Sequence, residues 1–268
     1  MSRLAPLASL LLIVVAVASL AAGLLAPASY ETQFRDAPNA PPGVRFLLGT
    51  DDLGRDRFSR LLYGSRVSLL LAPAAALLAT ALAAVAGTLA GFLGGWWERL
   101  GRGVMDLFLS LPWLFLLLAV RAALPLNVAP AVSVAITFAL LGVLGWPVAA
   151  RVVLAGARAL RQADFVLQAR ASGCSRTRLL FLHILPNLRP ILAAQFWISI
   201  PVFILAEANL GMLGLGIAEP LPSWGNLLRE MESYPALFSA PWLLAPLVLL
   251  LVVVSCFQLV LAGKDSRA

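Results

Sequence analysis

The stretch at residues 168–187 reads QARASGCSRTRLLFLHILPN, and it lies between two long apolar runs. Arginine is costly to place in lipid, so a stretch of this kind marks a part of the chain outside the bilayer core. The whole chain has 268 residues, of which 61% are hydrophobic and 12% charged, and its mean hydropathy is +0.91. The hydrophobic fraction and the mean hydropathy lie far above those of soluble domains, and the charged fraction lies far below. Together they predict an all-α integral membrane protein.

Six apolar runs are long enough to cross a membrane, because a helical span needs about 20 apolar residues. The first run also has features of a signal peptide, since Arg3 precedes it and small residues follow it. Its length exceeds the core of about 7 to 15 residues that is usual in such signals, so we predict that it is retained. The six predicted helices cover residues 4–26, 68–95, 104–125, 128–150, 191–212 and 241–262.

The distribution of arginine predicts the orientation of these helices. Residues 151–190 contain seven arginines and one acid, an excess that is typical of a cytoplasmic loop. Residues 213–240 contain one arginine and three acids, and we predict that they are external. Six spans then place both termini in the cytoplasm. Residues 27–67 are an exception to the rule, because this external segment has six arginines against five acids.

The external segment is predicted to be irregular at its proline-rich start, residues 26–46. Beyond it, Thr50 or Asp51 is predicted to cap a short amphipathic helix at the membrane surface. The apolar residues of that helix recur near helical spacing, at Leu53, Phe58, Leu61 and Leu62.

The cytoplasmic loop is long enough to form helices of its own. Asp164 is predicted to open the first helix and Gly173 to end it. A second apolar helix is predicted to begin near Leu179 and to stop at Pro186. A helix, a glycine turn and a helix with basic flanks would form a docking knob at the membrane.

Chemistry for catalysis or nucleotide hydrolysis is not evident in this chain. Lys264 is the only lysine and lies outside any P-loop pattern, so ATP hydrolysis would need a partner. His183 is the only histidine, which excludes a histidine metal cluster. The two cysteines, Cys174 and Cys256, suggest neither a disulfide framework nor a metal site.

Charged residues within the predicted spans are candidates for function, because burial in lipid costs roughly 3 kcal/mol or more. Glu207 is the last of four residues that recur at four-residue spacing on the fifth span, so that they form a line along one face of the helix. Two hypotheses fit this line equally well: it lines a pathway, or Glu207 makes a hydrogen bond between helices. Asp106 and Arg121 lie near the ends of the third span, and we predict that they reach the interface. The line consists of Gln195, Ser199, Phe203 and Glu207.

The cytoplasmic stretch resembles the EAA loop of the membrane subunits of bacterial ATP-binding cassette (ABC) importers. That pattern is E-A-A, three residues, G, nine residues, I, one residue and L-P. Glycine, leucine and proline match at the full spacing, whereas the leading Glu-Ala and the isoleucine do not. The slots fall on Leu167, Gln168, Ala169, Gly173, His183, Leu185 and Pro186.

Two further stretches are similar to the peptide and nickel permease branch of that family. Residues 48–69 read LGTDDLGRDRFSRLLYGSRVSL and resemble the segment that leads into its second span. Residues 207–228 read EANLGMLGLGIAEPLPSWGNLL and resemble its fifth-span exit and external loop. In this branch HILPN, residues 183–187, is the ordinary end of the EAA loop.

The resemblance implies a type I ABC importer permease fold with a cytoplasmic coupling helix that sits in a cleft of the ATPase subunit. It implies domains at residues 1–66, an N-terminal span with an external segment, and 67–268, the core permease, with the coupling loop at about 160–188. The residues implied in ATPase coupling are Gln168, Ala169, Arg170, Ala171, Gly173, Arg176, His183, Leu185 and Pro186.

The resemblance also implies the partners. These are a second homologous permease, two ATPase subunits that bind ATP and Mg, an external solute-binding protein and membrane lipid, with no nucleic acid. The chain itself would hold no cofactor or metal and would not be an enzyme. It would lie in the inner membrane of a bacterial or archaeal cell as a multi-pass protein.

Several functions stay open at this point. The first is a permease subunit for di- and oligopeptides, with nickel or another small solute as the alternative cargo. The second is an independent gradient-driven carrier that uses Glu207. The third is a membrane enzyme centred on His183.

Overall fold

The computed structural model describes residues 4–125, 128–232 and 240–265. These residues form a mostly helical protein, and their β pairing is confined to two isolated bridges, Gln33 with Arg55 and Thr50 with Asp56. The α-helices are α1 Leu4–Leu20, α2 Ala22–Leu25, α3 Arg57–Leu93, α4 Gly95–Ser110, α5 Trp113–Ala123, α6 Pro130–Arg161, α7 Asp164–Ala171, α8 Arg176–Leu179, α9 Leu185–Met212, α10 Trp224–Arg229 and α11 Ala245–Asp265. A π-helical turn at Leu180–Ile184 joins α8 to α9, and 3₁₀ turns occupy Glu230–Glu232 and Pro241–Leu244.

Four of the described helices are long and apolar enough to cross a membrane: residues 57–93, 130–161, 176–212 and 241–263. A fifth candidate is the pair α4 and α5, which is bent by 79° between Ser110 and Trp113. Helix α1 is apolar but has only 17 residues. Each of the six predicted apolar runs therefore contains a helix, and the third is broken rather than continuous.

The chain divides into two compact units. The first contains residues 1–72, 122–137 and 201–268, and the second contains residues 73–121 and 138–200. Within the first unit α1 packs along α11, and a β-carbon at Gly263 would come within 2.7 Å of the Ala5 side chain. Retention of the first helix stays a prediction.

Small residues bring α3 and α6 close together in the second unit. A β-carbon at Gly87 would lie 2.5 Å from the Ala150 carbonyl oxygen, and one at Gly91 would lie 2.5 Å from that of Leu154. Neither contact leaves room for a larger side chain. The two backbones can approach because these positions lack a β-carbon, which is the way membrane helices commonly associate.

The predicted surface helix after Thr50 is wrong. Thr50 accepts the Ala40 N–H at 2.8 Å, and Asp51 accepts the Arg55 N–H at 2.7 Å, so both side chains stabilise a turn. The helix begins later, at Arg57, where Asp56 accepts the Ser59 N–H at 2.8 Å and acts as the cap. It then continues into the second span as one helix of 37 residues.

The predicted helix stop at Pro186 is also wrong. Helix α9 continues through it to Met212, so the helical run extends from Arg176 to Met212. The widened π-helical turn just before Pro186 explains the difference, because a wider turn accommodates a ring that would otherwise clash with the carbonyl one turn earlier.

The prediction that Arg121 reaches the interface is wrong as well. Its side chain lies in α5 and is buried within the protein. Asp106 remains exposed, and it forms an ion pair with Arg151 of α6. Hydropathy could not distinguish these two cases, because both residues lie near the ends of one apolar run.

Candidate functional site

The stretch that we predict to be cytoplasmic folds as two helical segments joined by a glycine turn. Helix α7 begins at Asp164, as predicted, and the Cys174 N–H donates to the Ala169 carbonyl at 3.1 Å to close its end. Gly173 has φ +81°, a left-handed conformation that side chains with a β-carbon rarely adopt. Ser175 then caps α8 by accepting the Arg178 N–H at 3.3 Å.

One face of this loop is anchored in an apolar cluster of the second unit. Val166 of α7 and Leu179 of α8 are both buried, and Ile184 and Leu188 extend the same contact into α9. Phe92, Val153 and Ala157 complete the cluster from α3 and α6. The loop is therefore fixed to two long helices by its inner face.

The outer face of the loop is exposed and basic. Gln168, Arg170, Ala171, Gly173 and Arg176 are exposed, so the structure brings these predicted coupling residues together on one knob. The remaining coupling residues, Ala169, His183, Leu185 and Pro186, are partly buried. The centroid of the His183 ring lies 6.4 Å from that of the Phe165 ring, so His183 lies beside the start of α7.

The first unit contains a second candidate site around Glu207. This residue is 0% exposed, and its carboxylate accepts the Ser68 hydroxyl at 3.2 Å. The Ser223 hydroxyl and the backbone of Gly225 also hydrogen-bond the carboxyl. Glu207 of α9 is therefore hydrogen-bonded to α3 and to the start of α10. A pathway role for Glu207 stays a prediction.

Helix α10 folds back onto α3 and α9 to enclose Glu207. The Trp224 side chain is fully buried, and its indole N–H donates to the Ser65 hydroxyl at 2.8 Å. A β-carbon at Gly211 would overlap the backbone of Gly225, so the two helices touch through their main chains. We call residues 213–229 the α10 plug, because this loop with α10 packs on the ends of the long apolar helices α3 and α9.

The other three members of the predicted line lie on successive turns of α9. The Ser199 hydroxyl donates to the Gln195 carbonyl of the preceding turn at 2.8 Å, and both side chains are partly buried. Phe203 is buried. No contact of these three residues assigns them a function, and their role in a pathway stays a prediction.

Ion pairs join the α10 plug to the start of α3 and the segment before it. Arg60, whose side chain is 1% exposed, contacts Glu219 at 3.0 Å, and Arg55 contacts the same carboxylate at 2.7 Å. Asp51 lies on the other side of Arg55, at 2.6 Å. Burial acts to lower the pKa of Arg55, but the bonds and charges of Asp51 and Glu219 outweigh it and raise that pKa.

A further ion pair joins Arg57 to Glu230. Burial raises the pKa of the Glu230 carboxyl, against the opposing charges of Arg57 and Arg60. Residues 27–67 contain six arginines, and four of them form ion pairs within the fold: Arg45, Arg55, Arg57 and Arg60. One indication of these ion pairs was present in the sequence: residues 27–67 contain nearly equal numbers of arginines and acids, six and five.

Replacing Arg60 with glutamine is expected to lower the thermal midpoint of the detergent-purified protein. The expected loss is about 1 kcal/mol, because Arg60 is buried and also lies 3.8 Å from the buried Asp51, whereas Glu219 is half exposed and keeps Arg55 as a partner. Arg35→Gln is the control, since Arg35 is exposed on the same segment. An equal effect of the two substitutions on the thermal midpoint would contradict a structural role for the Arg60 contacts.

Comparisons with known proteins identify the family. Residues 83–264 match the model of the family described as "Binding-protein-dependent transport system inner membrane component". An oligopeptide transport system permease protein OppC from Mycobacterium bovis is 34% identical over 96% of this chain and 86% of its own length. The OppC protein of Bacillus subtilis (strain 168) is 30% identical over 90% of this chain and 76% of its own length.

A Brucella suis protein with a provisional peptide-permease name is 34% identical over 77% of this chain, and the match covers 66% of that relative. The family match includes the loop at residues 164–179, α9 and the α10 plug. The chain belongs to the family of inner membrane components of binding-protein-dependent transport systems.

Proposed function

We propose that this chain is the permease subunit of an ATP-driven importer and forms half of the translocation pathway for di- and oligopeptides. The observation that carries this proposal is the exposed helix, glycine and helix knob at residues 164–179, fixed by its inner face to the long helices α3 and α6. A rigid knob of this kind can transmit the movement of a docked ATPase to the membrane helices, because its anchor is close-packed.

Peptides are proposed as the cargo because relatives aligned over most of the chain are named as oligopeptide permeases. Those names favour peptides over nickel. We infer the partners from the family: a second homologous permease, two ATPase subunits that hold ATP and Mg, and an external solute-binding protein. This chain then needs no cofactor and no enzymatic activity of its own, and both of its termini lie in the cytoplasm.

The proposal is tested by reconstituting the chain into liposomes with and without its partner subunits. Uptake of a labelled peptide is expected only when the second permease, the ATPases, ATP and the binding protein are all present. Uptake by the chain alone, driven by an ion gradient, would instead support a carrier that uses Glu207. A tagged chain should also recover a P-loop ATPase from native membranes, and recovery of the intact chain without one would count against the proposal.

A further inference from the structure

Five charged side chains form a ladder between α4 and α6 in the second unit. Glu98, Arg102 and Asp106 follow one another at four-residue spacing on α4, and Arg151 and Arg158 lie two turns apart on α6. Glu98 contacts Arg102 at 3.1 Å and Arg158 at 3.3 Å, while Asp106 pairs with Arg151. We call these five residues the charged ladder.

The side chains of the charged ladder are paired with one another, and four of the five are also exposed. Glu98 is nearly buried, whereas the side chains of Arg102, Arg158, Arg151 and Asp106 are 48%, 52%, 55% and 56% exposed. Each of these groups therefore keeps polar atoms free for another ligand. An ion pair that served only to hold the helices together would not need that exposure.

Helix α4 separates this charged side from an apolar side. At 100° per residue, its exposed apolar residues fall within an arc of about 100°, and Arg102 and Asp106 lie outside that arc. Glu98, Gly101 and Met105 lie on the face that packs inward, against residues such as Ala90. The exposed apolar residues are Trp96, Trp97, Leu100, Val104 and Leu107.

The two exposed sides of α4 call for different surroundings. Tryptophans are typical of the membrane interface, and the apolar arc that continues from Trp96 and Trp97 suits lipid. Asp106 lies ten residues beyond Trp96 on the same helix, about 15 Å along its axis. Exposing an ion pair to lipid would be costly, so the charged side of α4 faces water or protein.

We propose that the charged ladder lines the water-filled cytoplasmic part of the translocation pathway and contacts zwitterionic cargo as it leaves. The arginines would attract a carboxylate, and Asp106 would attract an ammonium group. A peptide with both termini charged would therefore find an opposite charge for each terminus. This inference rests on the proposed function. Helix α6 connects the ladder to the coupling loop, since Arg158 precedes α7 by six residues.

The proposal is tested by cysteine accessibility in the assembled importer. Asp106→Cys and its neighbour on the apolar arc, Leu107→Cys, are compared in inside-out membrane vesicles with a charged, membrane-impermeant thiol reagent. A thiol in water forms a thiolate and reacts, whereas one in lipid stays protonated, so position 106 should react about tenfold faster or more. Peptide mapping by mass spectrometry separates the new cysteine from Cys174 and Cys256.

A second pair of measurements keeps the test decisive. Where Asp106→Cys fails to fold, Arg102→Cys replaces it, because Arg158 still pairs with Glu98.

Transported peptide should slow modification at position 106 or 102 and leave the modification rate at position 107 unchanged. Equal reaction rates at 106 and 107, or a rate at 106 that cargo never changes, would overturn the ladder as a cargo contact and indicate a surface covered by another subunit. The proposed function is tested separately, by measuring ATP-dependent peptide uptake by the importer complex that carries none of these substitutions.

Discussion

Gly173→Val is expected to leave the chain inserted in the membrane while ATP-dependent transport falls about tenfold or more, with ATP hydrolysis no longer linked to uptake. Gly173 has φ +81°, and a β-branched residue in this region costs roughly 1–2 kcal/mol or more, so the turn would move to another conformation. A displaced turn would change the knob that we propose docks to the ATPase. Uptake and ATP hydrolysis by the reconstituted importer measure the effect.

Gly173→Asn is the matched control. A β-carbon at this position would meet no atom within 4 Å, so steric overlap inside the chain plays no part. Asparagine adopts the left-handed conformation far more readily than valine, so it should keep most of the transport activity. Normal transport by Gly173→Val, or equal loss in both variants, would count against the glycine turn as the coupling element.

Gly211→Ala is expected to destabilise the first unit by on the order of 3 kcal/mol, because the new methyl group would overlap the Gly225 backbone. The overlap is with main chain, which cannot rotate away as a side chain could. Helix α10 would have to shift, and the hydrogen bond from Trp224 to Ser65 would be strained or lost. Thermal unfolding of the detergent-purified protein measures the effect.

Gly103→Ala provides the comparison, since a β-carbon there meets nothing within 4 Å and alanine favours a helix by about 1 kcal/mol over glycine. It should leave the thermal midpoint unchanged or raise it. A thermal midpoint for Gly211→Ala as high as that of Gly103→Ala would show that α10 does not pack on α9 as described.

Local signals predicted the first helix and the glycine turn of the 164–179 loop correctly, but not the helix that follows. Asp164 opens α7, and Gly173 ends the turn after it, because helix starts and left-handed turns depend on residues close in the chain. The spans were predictable for a similar reason, since lipid imposes one length and one kind of residue on each of them. The bend between α4 and α5 was missed, because the apolar run at residues 104–125 continues across it.

Contacts between distant residues could not be predicted in the same way. Glu219 meets Arg55 and Arg60, which lie more than 150 residues earlier, and Asp106 meets Arg151 on another helix. Thr50 and Asp51 have the residue types of a helix cap, yet their hydrogen bonds go to a turn. Each of these polar side chains had several possible partners, and tertiary packing selected one.

The sequence by itself determined the class of protein, the places of its apolar helices and the glycine turn at Gly173, because solvent polarity and backbone conformation act locally. The tertiary structure decided which charges are buried, how α10 closes over Glu207, and that α4 presents charge on one side and an apolar arc on another. Those features depend on which helices meet, and a buried charge or a main-chain contact is favourable only once its partner is in place.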